Sequence, residues 1–339
     1  MRHLRYVAWV DDDGSGGMGS GPLKVLGSVL VVQLLLGAAL LIWAAQGFPL
    51  PSFLRGGESA PTVATAATSA TTGAATKRPD RFDGERAFAL LREQVERYGP
   101  RPAGSAASRR LAVRLRAQLP AGRFESIPGH PGLRNVTGVL PGRRPAIVLG
   151  AHYDTEATVP GHVGANDGAA GTAAVVELSR ALRRLPRAER PREIRFVLFD
   201  GEEEPKGSTD FYRDGLRGSR AYVDRYATQV RELVLLDYIA EREGLRFPRE
   251  AGSDPRLWAQ LRAAARTVGT ARLFPNETTG QILDDHTPFT EAGIPAIDLI
   301  DFDYPQRDSP EDDLDAVSEA SLDAVGETVY ELIRRRAAR

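Results

Sequence analysis

Residues 146–155 read AIVLGAHYDT, and residues 194–204 read IRFVLFDGEEE. Each opens as a short apolar run, interrupted in the second only by Arg195. Such runs read as strands buried on both faces of a sheet. Each then breaks into side chains that carry charge: His152 and Asp154 after the first, Asp200, Glu202, Glu203 and Glu204 after the second. In open α/β sheets, ligands are held outside the carboxyl ends of the strands. These two stretches therefore set both a fold class and a place to look for chemistry.

Working outward, three more short apolar runs occur at 135–140, 233–236 and 296–300. Asp237 ends the second, and Asp301, Asp303 and Asp308 follow the third. Helical periodicity fills the intervals at 169–185, 208–226 and 255–268, and again at 318–336. Two further helices lie between 81 and 119, broken at Gly99-Pro100. Asp167 sits in the turn before the helix that starts near Ala169, where Gly164, Gly168 and Gly171 permit close approach. Alternating strands and helices predict an α/β fold: a single domain with a largely parallel or mixed central sheet flanked by helices. If the strands are parallel neighbours, the acids and His152 meet on one edge.

The 339 residues carry 44 Lys+Arg against 45 Asp+Glu, a net charge of −1. That balance gives no reason to expect a nucleic acid partner. Residues 25–45 contain no charge, and roughly 20 apolar residues span a bilayer. Arg2, Arg5 and Lys24 precede them, which places residues 1–24 in the cytoplasm by the positive-inside rule. The segment reads as a membrane-spanning signal anchor, with a cleaved signal peptide as the alternative. On both readings the rest of the chain is extracytoplasmic, either anchored to the membrane or secreted. Residues 46–79 are rich in Ala, Thr, Ser and Pro and read as a flexible linker. The folded domain is expected at 80–339.

With no cysteine, any metal must be held by His, Asp and Glu, and only five histidines exist: His3, His130, His152, His162 and His286. Several carboxylates with one or two imidazoles suit a cation such as zinc. Without one, the acids would repel each other in a partly buried cleft. His130 reads as a turn residue, His162 as a solvated loop residue, and Trp258 as a core residue on a helix.

The ordered set AHYDT (151–155), GANDGAAG (164–171), FDGEEE (199–204), LLDYIA (235–240), DDHTPF (284–289) and DSPEDDLDAVS (308–318) resembles the M28 aminopeptidase and glutaminyl cyclase superfamily. RGSR (217–220) and YGPRPAGS (98–105) extend the likeness, which covers about residues 83–337. The resemblance implies a zinc aminopeptidase-like fold and one or two zinc ions. It implies that Asp167 bridges two metals or binds one, that Glu203 is a ligand beside it, and that Glu202 is the general base. His152 and Asp237 would hold the second metal of a dizinc peptidase, with Asp154 orienting the His152 imidazole. In a cyclase, Glu202, Asp237 and Asp284 would shuttle protons. Asp285 and His286 would lie beside the ligands or line the pocket.

The sequence departs from the family where a late histidine ligand precedes a Pro-Glu-Asp stretch. Here Arg307-Asp308-Ser309 stands before Pro310-Glu311-Asp312, so Asp308 is expected as the metal ligand. The tryptophan wall of the animal cyclase pocket is also missing. Three functions are expected. The first is hydrolysis of peptides from the N-terminus by a metal-dependent aminopeptidase. The second is cyclisation of N-terminal glutamine to pyroglutamate. The third is a non-catalytic binding module of the same fold.

Overall fold

A computed structural model describes residues 80–339. The expected segments 1–24, 25–45 and 46–79 lie outside the described residues. Among the described residues, no helix is long and apolar enough to cross a membrane.

The chain enters through α1 (Gly84–Glu93), continued by a π-helical turn (Gln94–Tyr98), and then α2 (Ala106–Gln118). Strands β1 (Arg123–Ser126), β2 (Arg134–Leu140) and β3 (Arg143–His152) come next. A second π-helical turn (Ala165–Ala170) leads into α3 (Gly171–Arg183), then β4 (Arg192–Phe199). Two helices, α4 (Phe211–Asp214) and α5 (Arg217–Tyr226), precede β5 (Val230–Asp237). The C-terminal part holds β6 (Arg249–Glu250), α6 (Pro255–Val268), β7 (Thr278–Thr279), α7 (Thr287–Glu291), β8 (Ala296–Ile300) and α8 (Glu319–Ala337).

Six strands form one mixed sheet in the order β1-β2-β4-β3-β5-β8. β4, β3, β5 and β8 run parallel, and β1 and β2 are antiparallel at one edge. The four parallel strands are the apolar runs that end in charged residues. Side chains alternate between the faces. Ile147, Leu149, Ile194, Phe196, Val234 and Leu236 pack in one cluster with residues of α1, α3, α6 and α8. Val148, Val197, Leu233 and Leu235 pack in another with Tyr222 of α5 and Phe289 of α7. This is an α/β fold whose mixed sheet is flanked by helices on both faces. Trp258 is buried on α6 and meets Phe274 edge-on, as its helical position suggested.

Helix starts follow local chemistry. Asp83, Ser105, Asp254 and Ser318 each accept a backbone N–H of the first turn of α1, α2, α6 and α8. Such caps satisfy donors that the helix leaves unpaired. One expected helix is divided. Residues 208–226 break between α4 and α5, where Leu216 has φ 55°. There Leu216 N and Arg217 N donate to the carbonyls of Glu202 and Gly201, 2.9 Å each. The bonds that would continue the helix instead hold the acidic turn after β4.

Candidate metal centre

His152 is the last residue of β3 and Asp237 the last of β5. Glu202 and Glu203 follow β4, and Asp284–His286 lie just before α7. All are buried. Parallel pairing brings these strand ends side by side, so residues far apart in the chain share one edge.

Asp167 reaches this edge from the kinked turn before α3, where it leaves the helical region at φ −82°, ψ 98°. Gly171 makes the approach possible: a Cβ there would lie 2.1 Å from the Leu236 carbonyl of β5. Gly168, at φ 88°, lets the turn pass over the His152 ring. His152 Nε2 lies 3.0 Å from Asp167 Oδ1 and 3.5 Å from Asp237 Oδ1. Two groups of potential ligands share this imidazole: His152, Asp167 and Asp237, and His152, Glu202 and Glu203. In each, the donor atoms lie within 4.8 Å of one another.

The electrostatics match a cation site. Burial works against a protonated His152, yet Asp154, Asp167 and Asp237 raise it well above the usual histidine range. Burial pushes Asp237 up to about 7, with His152 opposing and Asp284 adding to the rise. A dication among these carboxylates would offset their mutual repulsion. The Nε2 atoms of His152 and His162 are buried and face carboxylate oxygens, both of Asp167 and, for His152, also of Asp237. Both features fit a cation held by His152 with Asp167 and Asp237, or by His152 with Glu202 and Glu203.

Asp154 lies against both the His152 ring and the acidic turn. His152 Nδ1 meets the Asp154 main-chain carbonyl at 3.1 Å and its carboxylate only at 3.8 Å. The Asp154 carboxylate also accepts the backbone N–H groups of Glu202 and Glu203, at 3.3 and 3.2 Å. It fixes the turn that carries the acids, while the Asp154 carbonyl and carboxylate both flank the imidazole. Asp308 lies at the rim. Its Oδ1 is 3.3 Å from the Tyr238 hydroxyl and its Oδ2 is 3.5 Å from Arg307 Nε, with the side chain 27% exposed. It belongs to neither of the converging groups.

Asp284, His286 and Asp298 form a third cluster, also within 4.8 Å. His286 faces Asp298 at 3.5 Å through Nδ1 and Glu250 at 3.4 Å through Nε2. Asp285 is fully buried and burial, then Asp284, raises it well above the carboxylate range. Asp284 acts on both Asp237 and Asp298, so it connects this cluster to the centre.

His162 departs from its expected solvated position. It is fully buried, with Nε2 3.5 Å from Asp167 Oδ2. His130 is an exposed turn residue as expected. Three further residues were not singled out from sequence. Tyr238, the residue after Asp237, donates its hydroxyl to Asp167 Oδ2 at 2.7 Å. Asp312 accepts the N–H groups of Asn166 and Asp167, at 2.8 and 3.0 Å. Arg101 is buried and donates to the carbonyls of Tyr153 and Gly164, both at 2.9 Å. Burial lowers its guanidinium to about 10 while Asp167, Asp312 and Asp154 favour its charge. Each lies inside a quoted motif (LLDYIA, PEDD and YGPRPAGS), which was the available signal.

The chain has recognisable relatives. Aminopeptidase YwaD of Bacillus subtilis (strain 168) is 29% identical over 212 residues, covering 57% of this chain and 42% of the relative. The glutaminyl-peptide cyclotransferase-like protein of Mus musculus is 30% identical over 204 residues, covering 50% of this chain and 52% of the relative. The chain thus spans roughly half the length of these two curated relatives. Among solved structures, a glutaminyl cyclase of an Acidobacteriales bacterium superposes with a TM-score of 0.66 at 28% identity, covering 80% of this chain and 98% of that one. The model of peptidase family M28 matches residues 135–333, more than half of the sequence. With the sheet, the strand-end acids and this match in agreement, the chain belongs to peptidase family M28 and is an enzyme of that family.

Proposed function

We propose that this enzyme is a zinc aminopeptidase that hydrolyses peptides from the N-terminus. The observation that carries the reading is the convergence of five possible ligands at one strand edge, His152, Asp167 and Asp237 in one group and Glu202 and Glu203 with His152 in an overlapping one. That donor set is rich enough for more than one ion, and the resemblance assigns His152 and Asp237 to the second metal of dizinc peptidases. Bound zinc would polarise the scissile carbonyl and lower the pKa of the attacking water. Glu202 would be the group that takes the proton of the attacking water and returns it to the leaving amine. Asp154 holds Glu202 in place through its backbone N–H, and Arg101 and Asp312 hold the Asp167 turn. On the same reading of residues 25–45, the enzyme works outside the cytoplasmic membrane.

A second reading is cyclisation of N-terminal glutamine. It is favoured by the buried Asp284 beside Asp237, which gives a chain of acids able to move protons without a second metal. The names of the mouse relative and the Acidobacteriales structure point the same way. A panel of peptides with N-terminal Leu or Gln separates the two. The peptidase reading expects release of free leucine. Release of ammonia from the Gln peptide, with no free amino acid from either, would replace it with cyclisation.

A further inference from the structure

We infer that His162 is an imidazole ligand of the metal on the Oδ2 side of Asp167, filling the part that related chains give to a histidine where this one has Asp308. This inference rests on the reading of the site as a metal centre.

The geometry is that of two ligands around one ion. His162 Nε2 lies 3.5 Å from Asp167 Oδ2. Hydrogen bonds between nitrogen and oxygen fall at about 2.7–3.2 Å. Two atoms bound tetrahedrally to one zinc, with bonds of about 2.0–2.1 Å, lie about 3.3 Å apart. The observed separation is long for the first and close to the second. His162 is fully buried, and its Nε2 faces the Asp167 carboxylate.

The other ring nitrogen fixes which atom is offered. His162 Nδ1 lies 2.8 Å from the carbonyl of Ser309, so Nδ1 carries the hydrogen and donates it. Nε2 is then the lone-pair atom in the neutral ring. Metal-binding histidines are commonly oriented by a carbonyl in this way. His152 is built on the same plan, with Nδ1 against the Asp154 carbonyl and Nε2 3.0 Å from the opposite Asp167 oxygen. Asp167 therefore presents one oxygen to each of two buried imidazoles.

The loop that carries His162 is held against the segment at 308–312, where the resemblance leads one to expect a histidine. Ala165 N donates to the Asp312 carbonyl at 3.2 Å, and Asp312 takes the next two N–H groups. Arg101 binds the carbonyls of Val163 and Gly164. The residue beside Asp308, Ser309, supplies the acceptor that aims the ring. Asp308 itself turns its carboxylate to Tyr238 and Arg307 at the rim.

The test uses the full chain, stripped of metal and titrated with zinc against a chromophoric chelator, with zinc per chain measured by elemental analysis. His162→Gln keeps a donor for the Ser309 carbonyl and removes the ligand nitrogen. It should lose one zinc, or bind it at least about tenfold more weakly, and change the visible spectrum of the cobalt-loaded protein. Asp308→Ala should lose less affinity than His162→Gln. A second measurement needs no variant: in the parent labelled with 15N-histidine and loaded with 113Cd, one-bond couplings are expected to Nε2 of both His152 and His162. A His162→Gln protein that melts like the stripped parent and binds zinc with parental number and affinity would overturn the inference. So would the absence of the His162 coupling. A parent chain that takes up no metal at all would remove the metal-centre reading itself.

Discussion

Asp154 grips the residue assigned as the general base by its backbone: its Oδ1 accepts the Glu202 N–H at 3.3 Å. Its Oδ2 accepts the next N–H, of Glu203. One buried carboxylate thus sets the position of both acids after β4. Asp154→Ala leaves two buried donors unpaired, each costing about 1–3 kcal/mol. It should lower the melting temperature and reduce kcat/KM about 10- to 100-fold. Asp154→Asn, which keeps one acceptor, should lie between it and the parent. Parental melting and activity in Asp154→Ala would show that the turn holds its own shape.

Glu202→Gln separates binding from proton transfer. The side chain is buried and the change is nearly isosteric, so fold and zinc content should be retained. Turnover should fall about 100- to 10,000-fold, the usual loss for a general base. Full activity at normal zinc content would assign the base to another residue, with Asp284 next to be measured.

The domain boundary can be cut finely. Phe82 is fully buried, its ring fills the space beside Gly326, and its N–H donates to Glu327 Oε1 at 2.6 Å. A protein starting at residue 80 should be soluble and active. One starting at residue 84 loses Phe82 and the Asp83 cap of α1, and should be destabilised by about 3–5 kcal/mol for the aromatic side chain alone. Equal melting temperatures for the two would place the boundary later than the structure implies.

Glu331 gives an acid-dependent stability term. Burial pushes its carboxyl up, but Arg334, Arg335 and Arg81 outweigh it and hold it at about 2. A group depressed in the folded state stabilises fully above its unfolded value and loses that contribution as pH falls. The window here runs from about 4.3, the ordinary glutamate value, down to about 2. Glu331→Gln should melt lower than the parent at pH 7, and the gap should close as pH drops through this window. A constant gap would mean that packing, not charge, holds Glu331.

Much of the centre was legible because its residues sit at strand ends. His152, Glu203 and Asp237 each follow an apolar run, and run and charge are both local signals. The parallel pairing that joins them follows from the alternation of strands and helices. His162, Tyr238, Asp312 and Arg101 were hidden for a shared reason. Each converges on the loop at 161–167 through a contact distant in sequence, His162 and Asp312 across about 145 residues, Tyr238 and Arg101 through bonds to Asp167. Strand β1 was missed because Arg-Phe-Glu-Ser offers a single apolar residue at a sheet edge. The break at Gly215-Leu216 was missed because its cause is the carbonyl of Glu202, which no helical periodicity registers.

Asp308→His restores the residue that the family pattern leads one to expect, in a backbone already suited to it. Asp308 has φ 51°, in the left-handed region. Asp, Asn and His are the residues besides glycine most often found there, so the exchange adds little strain. The Asp308 carboxylate is 3.3 Å from the Tyr238 hydroxyl, which itself bonds Asp167 Oδ2 at 2.7 Å. A longer imidazole from position 308 therefore starts within reach of the same Asp167 oxygen that His162 faces. Zinc affinity in the single variant should match or exceed the parent. The double variant His162→Gln/Asp308→His is the sharper measurement, because the new ring should replace the lost one. It is expected to recover the zinc stoichiometry and at least about tenfold of the affinity missing in His162→Gln. The cobalt spectrum should return toward that of a site with two imidazoles. If the double variant binds zinc no better than His162→Gln alone, position 308 does not reach the metal, and the late-histidine register assigned to Asp308 is wrong.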